Sequence, residues 1–196
     1  MTANTLSENP VESQNQNDSR TDQQLIAAIN TGDGAAFEVL YFRYRDWVVT
    51  LACRFTGNDD LAPDVMQETF LYFLKKFPGF HLTANLKTFL YPAVKNLSIA
   101  ARRKLARYPS TESAQPRFEQ LATADRPAGS ENDLAVALAN LSEEHREVLQ
   151  LRYVDGLALT EIAEAVEVPL GTVKSRLHNA LEALRQDKRA RQYFEE

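Results

Sequence analysis

The sequence predicts an all-α protein built from two small helical domains joined by a flexible linker. Apolar residues recur three and four positions apart over long segments, instead of alternating as they do in half-buried strands. Long runs of β-branched residues, which favour strands, are absent. The seven glycines and eight prolines cluster between the periodic segments, where they mark turns. A length of 196 residues suffices for one ordinary domain or two small ones.

The first predicted domain covers residues 21–107 and contains four helices, over residues 22–30, 35–55, 61–77 and 86–107. Turn signals separate them: Gly-Asp-Gly at 32–34, Gly-Asn-Asp at 57–59 and Pro-Gly at 78–79, which is followed by a loop over 80–85. Residues 1–20 are polar and mildly acidic with few apolar side chains, and this composition predicts a disordered N-terminal extension.

The second predicted domain covers residues 133–186 and is also helical. Proline-punctuated, Ser/Thr/Glu/Gln-rich sequence over 108–132 predicts a flexible interdomain linker before it. Periodic apolar residues then resume from Leu134 to Leu184. Residues 187–196 form a basic-to-acidic tail. A unit this small buries a modest core.

Residues 156–177 predict a helix-turn-helix, in which two short helices are joined by a tight turn and the second helix is basic. The residues expected to pack inward are Ile162, Ala163 and Val166 on the first helix and Val173, Leu177 and Leu181 on the second. Four side chains that can donate hydrogen bonds to bases or phosphates project from the other side: Lys174, Ser175, His178 and Asn179. Ala158 stands where a Ser or Thr N-cap would pair with Glu161, so Thr160 could cap a helix that begins later. A solvated helical hairpin is the alternative interpretation.

The composition disfavours membrane, disulfide-bonded and enzymatic classes. There is no apolar stretch long enough to span a membrane and no signal-peptide pattern, which predicts a cytoplasmic protein without membrane insertion. Cys53 is the single cysteine and is expected to be a buried, inert thiol. The three histidines, His81, His145 and His178, are far apart in sequence, and no nucleophile motif or phosphate-binding glycine loop occurs. We therefore expect no catalytic residue, no metal and no cofactor.

The third predicted helix carries the motif D-x-x-Q-E-T-F at residues 64–70. Its apolar residues form a core stripe, whereas Asp64, Gln67 and Glu68 lie about one turn apart on another face. By itself such a trio is usually a solvated polar face. The alternative is a surface that contacts a partner.

The fourth predicted helix combines aromatic residues with positive charge. Phe89, Leu90 and Tyr91 precede five cations between residues 95 and 107, where no acid occurs. Aromatic rings stack on unpaired bases and cations track phosphates, so this pattern fits single-stranded nucleic acid. A solvated helix face or a membrane-surface helix are the alternatives.

The formal net charge of −5 is unevenly distributed. Residues 95–107 contribute +5, and residues 174–191 contribute +4 from six bases against two acids, which leaves −14 for the rest of the chain. Two basic segments in an acidic chain predict a protein that binds nucleic acid mainly when a partner holds both domains in place.

The order of these motifs resembles that of a known family. Residues 141–184 alone resemble both region four of bacterial sigma factors and the DNA-binding domain of LuxR-type regulators. Together with D-x-x-Q-E-T-F, L-K-T-F-L-Y and K-N, the chain from about residue 21 to 186 resembles the extracytoplasmic-function (ECF) sigma factors, which carry only regions two and four. A stand-alone helix-turn-helix regulator with a sensing N-terminal domain is the alternative.

The resemblance implies that the protein binds core RNA polymerase and directs it to promoters. Asp64, Gln67 and Glu68 match the region that docks on the clamp of the largest polymerase subunit. The positions that match minus-10 recognition by single-stranded DNA contact are Phe80, His81, Leu82, Thr83, Ala84, Asn85, Lys87, Phe89, Lys95, Asn96, Arg102 and Arg103. Those that match minus-35 duplex recognition are Arg152, Thr172, Lys174, Ser175, Arg176, His178 and Asn179. An anti-sigma factor is a further implied partner.

The chain departs from the family pattern near the minus-10 loop. The family usually has Gly and Arg where Leu82 and Thr83 stand, Trp in place of Phe89 and a basic residue in place of Pro92. Proline inside a helix removes a hydrogen bond or kinks the helix. We therefore expect a differently shaped loop and an altered minus-10 preference.

Overall fold

The first helix begins where the sequence supplies a complete capping box. In this computed structural model, which describes residues 18–107 and 131–193, α1 spans Asp22–Asn30 as predicted. The Thr21 side chain accepts from Gln24 N, and the Gln24 side chain accepts from Thr21 N at 2.8 Å. Two N–H groups that the helix cannot satisfy internally are thereby paired.

The second helix, α2, is the long central helix of the first unit and spans Gly34–Thr56. Asp33 caps its N-terminus through a bond from Ala36 N at 3.2 Å. Gly57 ends it with φ +63°, a left-handed conformation that glycine adopts without steric cost. The predicted bounds of 35–55 were therefore one residue short at each end.

The third helix, α3, spans Ala62–Leu74 and ends three residues earlier than predicted. Phe77 precedes Pro78, and a residue before proline is disfavoured in the helical conformation. The chain tightens before that point, because Lys76 and Phe77 donate to carbonyls three residues back instead of four.

The fourth helix, α4, spans Leu86–Arg107, as predicted, and continues through Pro92. The predicted linker begins at its end, and residues 108–130 lie outside the described part of the chain. The last two residues of the predicted linker, 131 and 132, instead form the first turn of the next helix.

The core of the first unit lies where α2 packs against α1, α3 and α4, and α3 packs against α4. Fully buried aliphatic and aromatic side chains fill it: Leu25, Leu40, Val48, Leu51, Val65, Phe73, Leu86, Leu90 and Tyr91. Cys53 is half-buried, whereas it was predicted to be buried. Its partial burial, and to a smaller extent a hydrogen bond with Asp59, raises the pKa of its thiol. A raised pKa leaves less of the reactive thiolate at neutral pH.

Residues 18–20 of the predicted extension are held against the first unit, so for them the structure differs from the predicted disorder. Arg20 pairs with Asp18 at 2.7 Å and with Asp33 at 3.4 Å. Arg43 donates to the backbone carbonyls of Asp18 and Arg20. Residues 1–17 lie outside the described residues.

The second unit is a set of shorter helices: α5 spans Glu131–Ala139, α6 Glu143–Leu149, α7 Leu159–Ala165 and α8 Leu170–Gln186. A π-helical turn, Gln150–Val154, extends α6 directly. The largest fully buried side chains here are Leu151, Leu157 and Ile162. A separate cluster joins α5, α6 and α8: Ala137, Leu141, Leu149, Ala180 and Leu184. Ala190 completes it, so the predicted tail contributes to this core.

The helix α7 begins at Leu159 with Ala158 as its N-cap, so the suggested later start at Thr160 is wrong. Ala158 has extended backbone, φ −68° and ψ 155°, and its N–H donates to Glu161 Oε2 at 2.7 Å. Half of a capping box is therefore enough to fix this helix start.

Candidate nucleic-acid and protein interfaces

A polar face on α3 lies outward, opposite its buried face. Asp64, Gln67 and Glu68 are exposed, whereas Val65 and Phe70 between and after them are buried. The trio predicted from helical spacing is therefore together on one accessible surface.

The same face continues into exposed apolar side chains, which sequence reasoning missed. Leu71 and Leu74 are 55% and 44% exposed, whereas Leu25, Leu40 and Leu51 of the same unit are buried. Leu71 follows Gln67 by one turn, and Leu74 follows Leu71 by one turn, so helical spacing alone could have identified them. An outward polar trio followed by outward leucines is typical of a surface that contacts a protein.

The loop predicted for minus-10 recognition begins inside an aromatic cluster. The Phe80 ring lies 5.4 Å from that of Phe73 and 4.7 Å from that of Phe89, measured between centroids. Phe80 is therefore held by the fold rather than projecting from it. The next residues alternate: His81 and Thr83 are exposed, and Leu82 and Ala84 are half-buried.

Asn85 ends the loop by capping α4. Its side-chain oxygen accepts from Lys87 N at 3.0 Å, and its backbone oxygen accepts from Thr88 N at 3.0 Å. The Lys87 ammonium lies 5.6 Å from the centroid of the Trp47 ring, within range of a cation–π contact. A cavity of about 420 Å³ lies between α1 and the first residues of the loop.

Of the aromatic residues at the start of α4, only Phe89 reaches the surface. Tyr91 is 2% exposed, so of the two aromatic rings in the predicted pattern Tyr91 is not available for base stacking, and Leu90 beside it is fully buried. Phe89 is half-buried and stacks on Tyr72, with centroids 5.9 Å apart and an interplanar angle of 13°. Tyr72 is 40% exposed and carries the Lys76 ammonium 4.5 Å over its ring. Tyr72 and Lys76 thus extend the aromatic and cationic surface beyond the predicted residues.

The basic part of α4 divides into two groups. Lys95 lies 5.8 Å over the Phe55 ring, and Arg102 donates to the Phe55 carbonyl at 3.3 Å, so both contact the end of α2. Arg102 is nonetheless exposed, and so are Asn96, Arg103, Lys104 and Arg107. These exposed residues are the ones best placed to meet a phosphate backbone.

In the second unit, α7 and α8 are joined by a tight turn, as predicted. Val168 N donates to Ala163 O at 3.1 Å, and Glu167 has φ +55° at the reversal. Of the predicted inward residues on α7, Ile162 is fully buried, and Ala165 is buried in place of Ala163. Val173 is fully buried on α8. The remaining predicted residues are half-buried: Ala163, Val166, Leu177 and Leu181.

The outward face of α8 carries Lys174, Ser175, His178 and Asn179, which are all exposed. Buried Val173, Ala180 and Leu184 hold the helix against its own unit from the other side. The Ser175 hydroxyl donates to Thr172 O at 3.0 Å, which leaves its oxygen lone pairs able to accept.

Three other residues predicted for minus-35 recognition occupy different environments. The Arg176 side chain is 18% exposed and pairs with Glu144 of α6 at 2.9 Å. Arg152 donates to Leu157 O at 3.0 Å from an exposed position in the π-helical turn. Thr172 is half-buried. The outward group on α8 is therefore smaller than the predicted set.

Comparison with known proteins decides the family. The Sigma-70 region 2 family profile matches residues 40–108, and the Sigma-70 region 4 profile matches residues 137–186. The ECF RNA polymerase sigma factor SigW of Bacillus subtilis (strain 168) is 30% identical over 180 residues, which are 85% of this chain and 96% of SigW. The chain belongs to the ECF sigma factors. The ECF RNA polymerase sigma-E factor of Escherichia coli (strain K12) is also 30% identical, over 84% of this chain and 92% of that protein.

Solved structures share the fold of this ECF sigma factor. CnrH in complex with the cytosolic domain of CnrY has a TM-score of 0.57 at 22% identity and covers 83% of this chain and 93% of its own. RpoE in complex with the anti-sigma factor NepR, from Bartonella quintana, has a TM-score of 0.55 at 24% identity and covers 76% and 94%. The region 2 match does not favour a stand-alone LuxR-type regulator, which would account for the second unit alone. The protein is a transcription initiation factor that acts with core RNA polymerase on promoter DNA.

Within 18–107 and 131–193, no cluster of three His, Cys, Asp or Glu side chains could hold a metal ion. In the same ranges, no helix combines the length and apolar character needed to cross a membrane.

Proposed function

We propose that this ECF sigma factor divides promoter recognition among three surfaces: α3 docks on core polymerase, the 80–85 loop with α4 reads the minus-10 single strand, and α8 reads the minus-35 duplex. The observation that carries the proposal is the outward face of α8, where four polar side chains lie opposite a buried apolar face. A recognition helix needs this arrangement to enter the major groove.

The polymerase contact is assigned to the polar trio together with the exposed leucines that follow it. Asp64 and Glu68 supply negative charge that would attract a basic surface of the polymerase and fix the relative position of the two proteins. Leu71 and Leu74 supply apolar area that is lost from water on docking.

The minus-10 contact is assigned to the loop and to the exposed polar part of α4. His81 and Thr83 project from the loop, and Asn96 and Arg103 project from the helix. Side chains of this kind can hydrogen-bond base edges and phosphates of an unpaired strand. Extruding a base from the stack costs a few kcal/mol, so a loop held in place before binding lowers the barrier to melting.

The minus-35 contact is assigned first to Lys174, Ser175, His178 and Asn179. Arg152 and Thr172 remain proposed contacts at the edge of this surface. Arg176 is also proposed to contact DNA, but its ion pair with Glu144 must rearrange for it to do so.

Run-off transcription with purified core polymerase tests the assignment. The full chain should direct initiation at specific promoters, and a triple variant Asp64→Ala, Gln67→Ala, Glu68→Ala should lose co-elution with core enzyme in gel filtration. The matched control is Glu38→Ala, an exposed acid on α2 outside this face. Retained co-elution of the folded triple variant would move the polymerase contact elsewhere.

The proposal also covers regulation, location and chemistry. RpoE of Bartonella quintana is solved in complex with an anti-sigma factor, and we assign this chain a partner of the same kind. We assign the protein to the cytoplasm, where transcription takes place, with no enzymatic activity of its own. Co-purification from cells grown without the inducing signal should recover one dominant bound partner, whereas recovery of core polymerase alone would argue against such control.

A further inference from the structure

The recognition loop is tied to the end of α1 by one side-chain amide. Asn30 Nδ2 donates to Phe80 O at 2.8 Å, and Asn30 Oδ1 accepts from Gly79 N at 2.7 Å. The bonded residues are 50 and 49 positions apart in sequence. A single side chain thus joins the last residue of α1 to the two residues that open the loop.

The primary amide of Asn30 makes both bonds at once. Asn offers a donor and an acceptor side by side, which match one N–H and one C=O of the neighbouring backbone. The backbone presents them in this way because Gly79 has φ +100°, a conformation that residues with a Cβ rarely adopt. The Asn30 amide and the backbone at Gly79 and Phe80 therefore form one paired hydrogen-bond contact, which we name the Asn30 clamp.

The Asn30 clamp leaves a short segment between two fixed points. On one side, Phe80 is bonded to Asn30 and packed on Phe89, and on the other Asn85 caps α4. Residues 81–84 span the distance, with His81 and Thr83 exposed between the anchors. The 420 Å³ cavity opens beside the clamp and is lined by Asn30, Phe80, His81 and Leu82 together with residues of α1.

We propose that Asn30 is a positioning residue for minus-10 recognition: it holds the 80–85 loop in the conformation that receives the unpaired strand, without itself reading a base. This inference rests on the proposed role of the loop. A loop that is ordered before binding loses less conformational entropy when it binds the DNA strand. This preorganisation should therefore increase the rate of promoter opening and the discrimination between bases.

The test uses holoenzyme assembled from core polymerase and the full chain, on a promoter from which it initiates. A fluorescent base analogue placed in the minus-10 non-template strand reports unstacking. Asn30→Ala should slow open-complex formation by about tenfold, the scale of one lost hydrogen-bonded constraint. It should also reduce the discrimination between the correct minus-10 base and the other bases. Affinity for core enzyme and for a minus-35 duplex should stay unchanged.

Two further variants keep the test independent of folding. Gly79→Ala disturbs the same clamp from the loop side, since no atom lies within 4 Å of the added Cβ and only the backbone conformation is strained. It should reproduce the Asn30→Ala defect. Thr31→Ala, which removes an exposed local bond to Ala28 O at 2.8 Å on the same turn, should behave as wild type.

The outcomes separate the clamp from the loop's own role. If Thr83→Ala and His81→Ala impair opening but Asn30→Ala and Gly79→Ala do not, the inference about Asn30 is wrong and the loop assignment stands. If none of the four impairs opening, the loop assignment itself fails. If Asn30→Ala lowers thermal stability but leaves base discrimination intact, Asn30 is a structural residue only.

Discussion

At the scale of single residues, one buried hydroxyl joins the first two helices. Tyr44 on α2 donates to the Asp22 carboxylate in the first turn of α1, and Arg43 pairs with the same carboxylate at 2.6 Å. Burial, and then the bond to Asp22, raises the pKa of Tyr44 above its ordinary value of 10.0. Tyr44 is 8% exposed, so water does not readily reach its hydroxyl to take the place of the Asp22 carboxylate.

Removing this hydroxyl should destabilise the first unit. Tyr44→Phe is expected to lower the free energy of unfolding by about 1.5–3 kcal/mol, the range for a hydrogen bond to a charged group. Because the folded pKa is raised, the folded state holds its proton where the unfolded state releases it, so the contribution of Tyr44 falls as pH rises above 10.0. Denaturant unfolding at several pH values should show wild type losing stability faster than Tyr44→Phe in that range.

Tyr41→Phe on the same helix is the matched control, since its hydroxyl meets only a weak acceptor, the Met66 sulfur at 4.0 Å. It should cost less stability than Tyr44→Phe. Equal losses from the two variants would contradict the role of the Asp22 bond.

A second residue-scale prediction concerns Lys174. In holoenzyme bound to a promoter, Lys174→Ala should weaken binding and reduce the slope of log affinity against log salt by about one, the effect of one lost phosphate contact. Lys188→Ala, another exposed lysine just beyond α8, should leave the slope unchanged. Fluorescence anisotropy of a labelled minus-35 duplex over a salt series measures both. A salt slope that stays the same in Lys174→Ala would remove this residue from the phosphate contacts.

Residue environments were predictable where they depend on one helix alone. The exposure of Asp64, Gln67 and Glu68 follows from helical spacing, and so does that of Lys174 and His178. The ion pair of Arg176 was not predictable, because its partner Glu144 lies on another helix. The Asn30 bonds to Gly79 and Phe80 were missed for the same reason. Local periodicity carries no information on which distant backbone a polar side chain meets.

At the scale of elements, helix ends follow from the residues that can or cannot cap them. The predicted bounds of α1 and α4 agree with the structure, in which Thr21 and Asn85 supply side-chain acceptors at the starts of these helices. The end of α3 was placed too late, since its apolar stripe continues to Phe77 while Pro78 disfavours helix there. The π-helical turn after α6 has no sequence signal that periodicity detects.

The weakest helix start offers a direct test. Ala158→Ser should add the missing acceptor for Glu161 N and stabilise α7 by about 1 kcal/mol, because the extended backbone and the Glu161 bond of a capping box are already in place. Amide hydrogen exchange of α7 should slow by about tenfold or less on this account. Ala158→Val, which adds no acceptor and is as poor an N-cap residue as Ala, should give little change. Equal protection in the two variants would show that the cap is not limiting.

At the scale of the whole molecule, the uneven charge decides how the protein meets DNA. Each unit carries one basic segment, and the rest of the chain is strongly acidic. Few cations project from α8, so the affinity that counterion release gives to this unit is modest and falls with salt. The exposed trio on α3 adds negative charge to a face that we assign to polymerase and not to DNA.

The chain alone should therefore bind promoter duplex weakly. At about 0.15 M salt we expect a dissociation constant no tighter than the non-specific range of roughly 10⁻⁴–10⁻⁶ M. Core polymerase should tighten binding to the same duplex at least a hundredfold, because docking of one unit raises the effective concentration of the other at its own element, a gain of roughly 10²–10⁴ in linked systems. Anisotropy titrations with and without core enzyme, on matched duplexes with intact or scrambled minus-35 elements, measure both terms. Tight, element-specific binding by the chain alone would contradict this prediction, because the acidic surface would then not limit DNA binding. The second unit would in that case act as an independent DNA-binding domain.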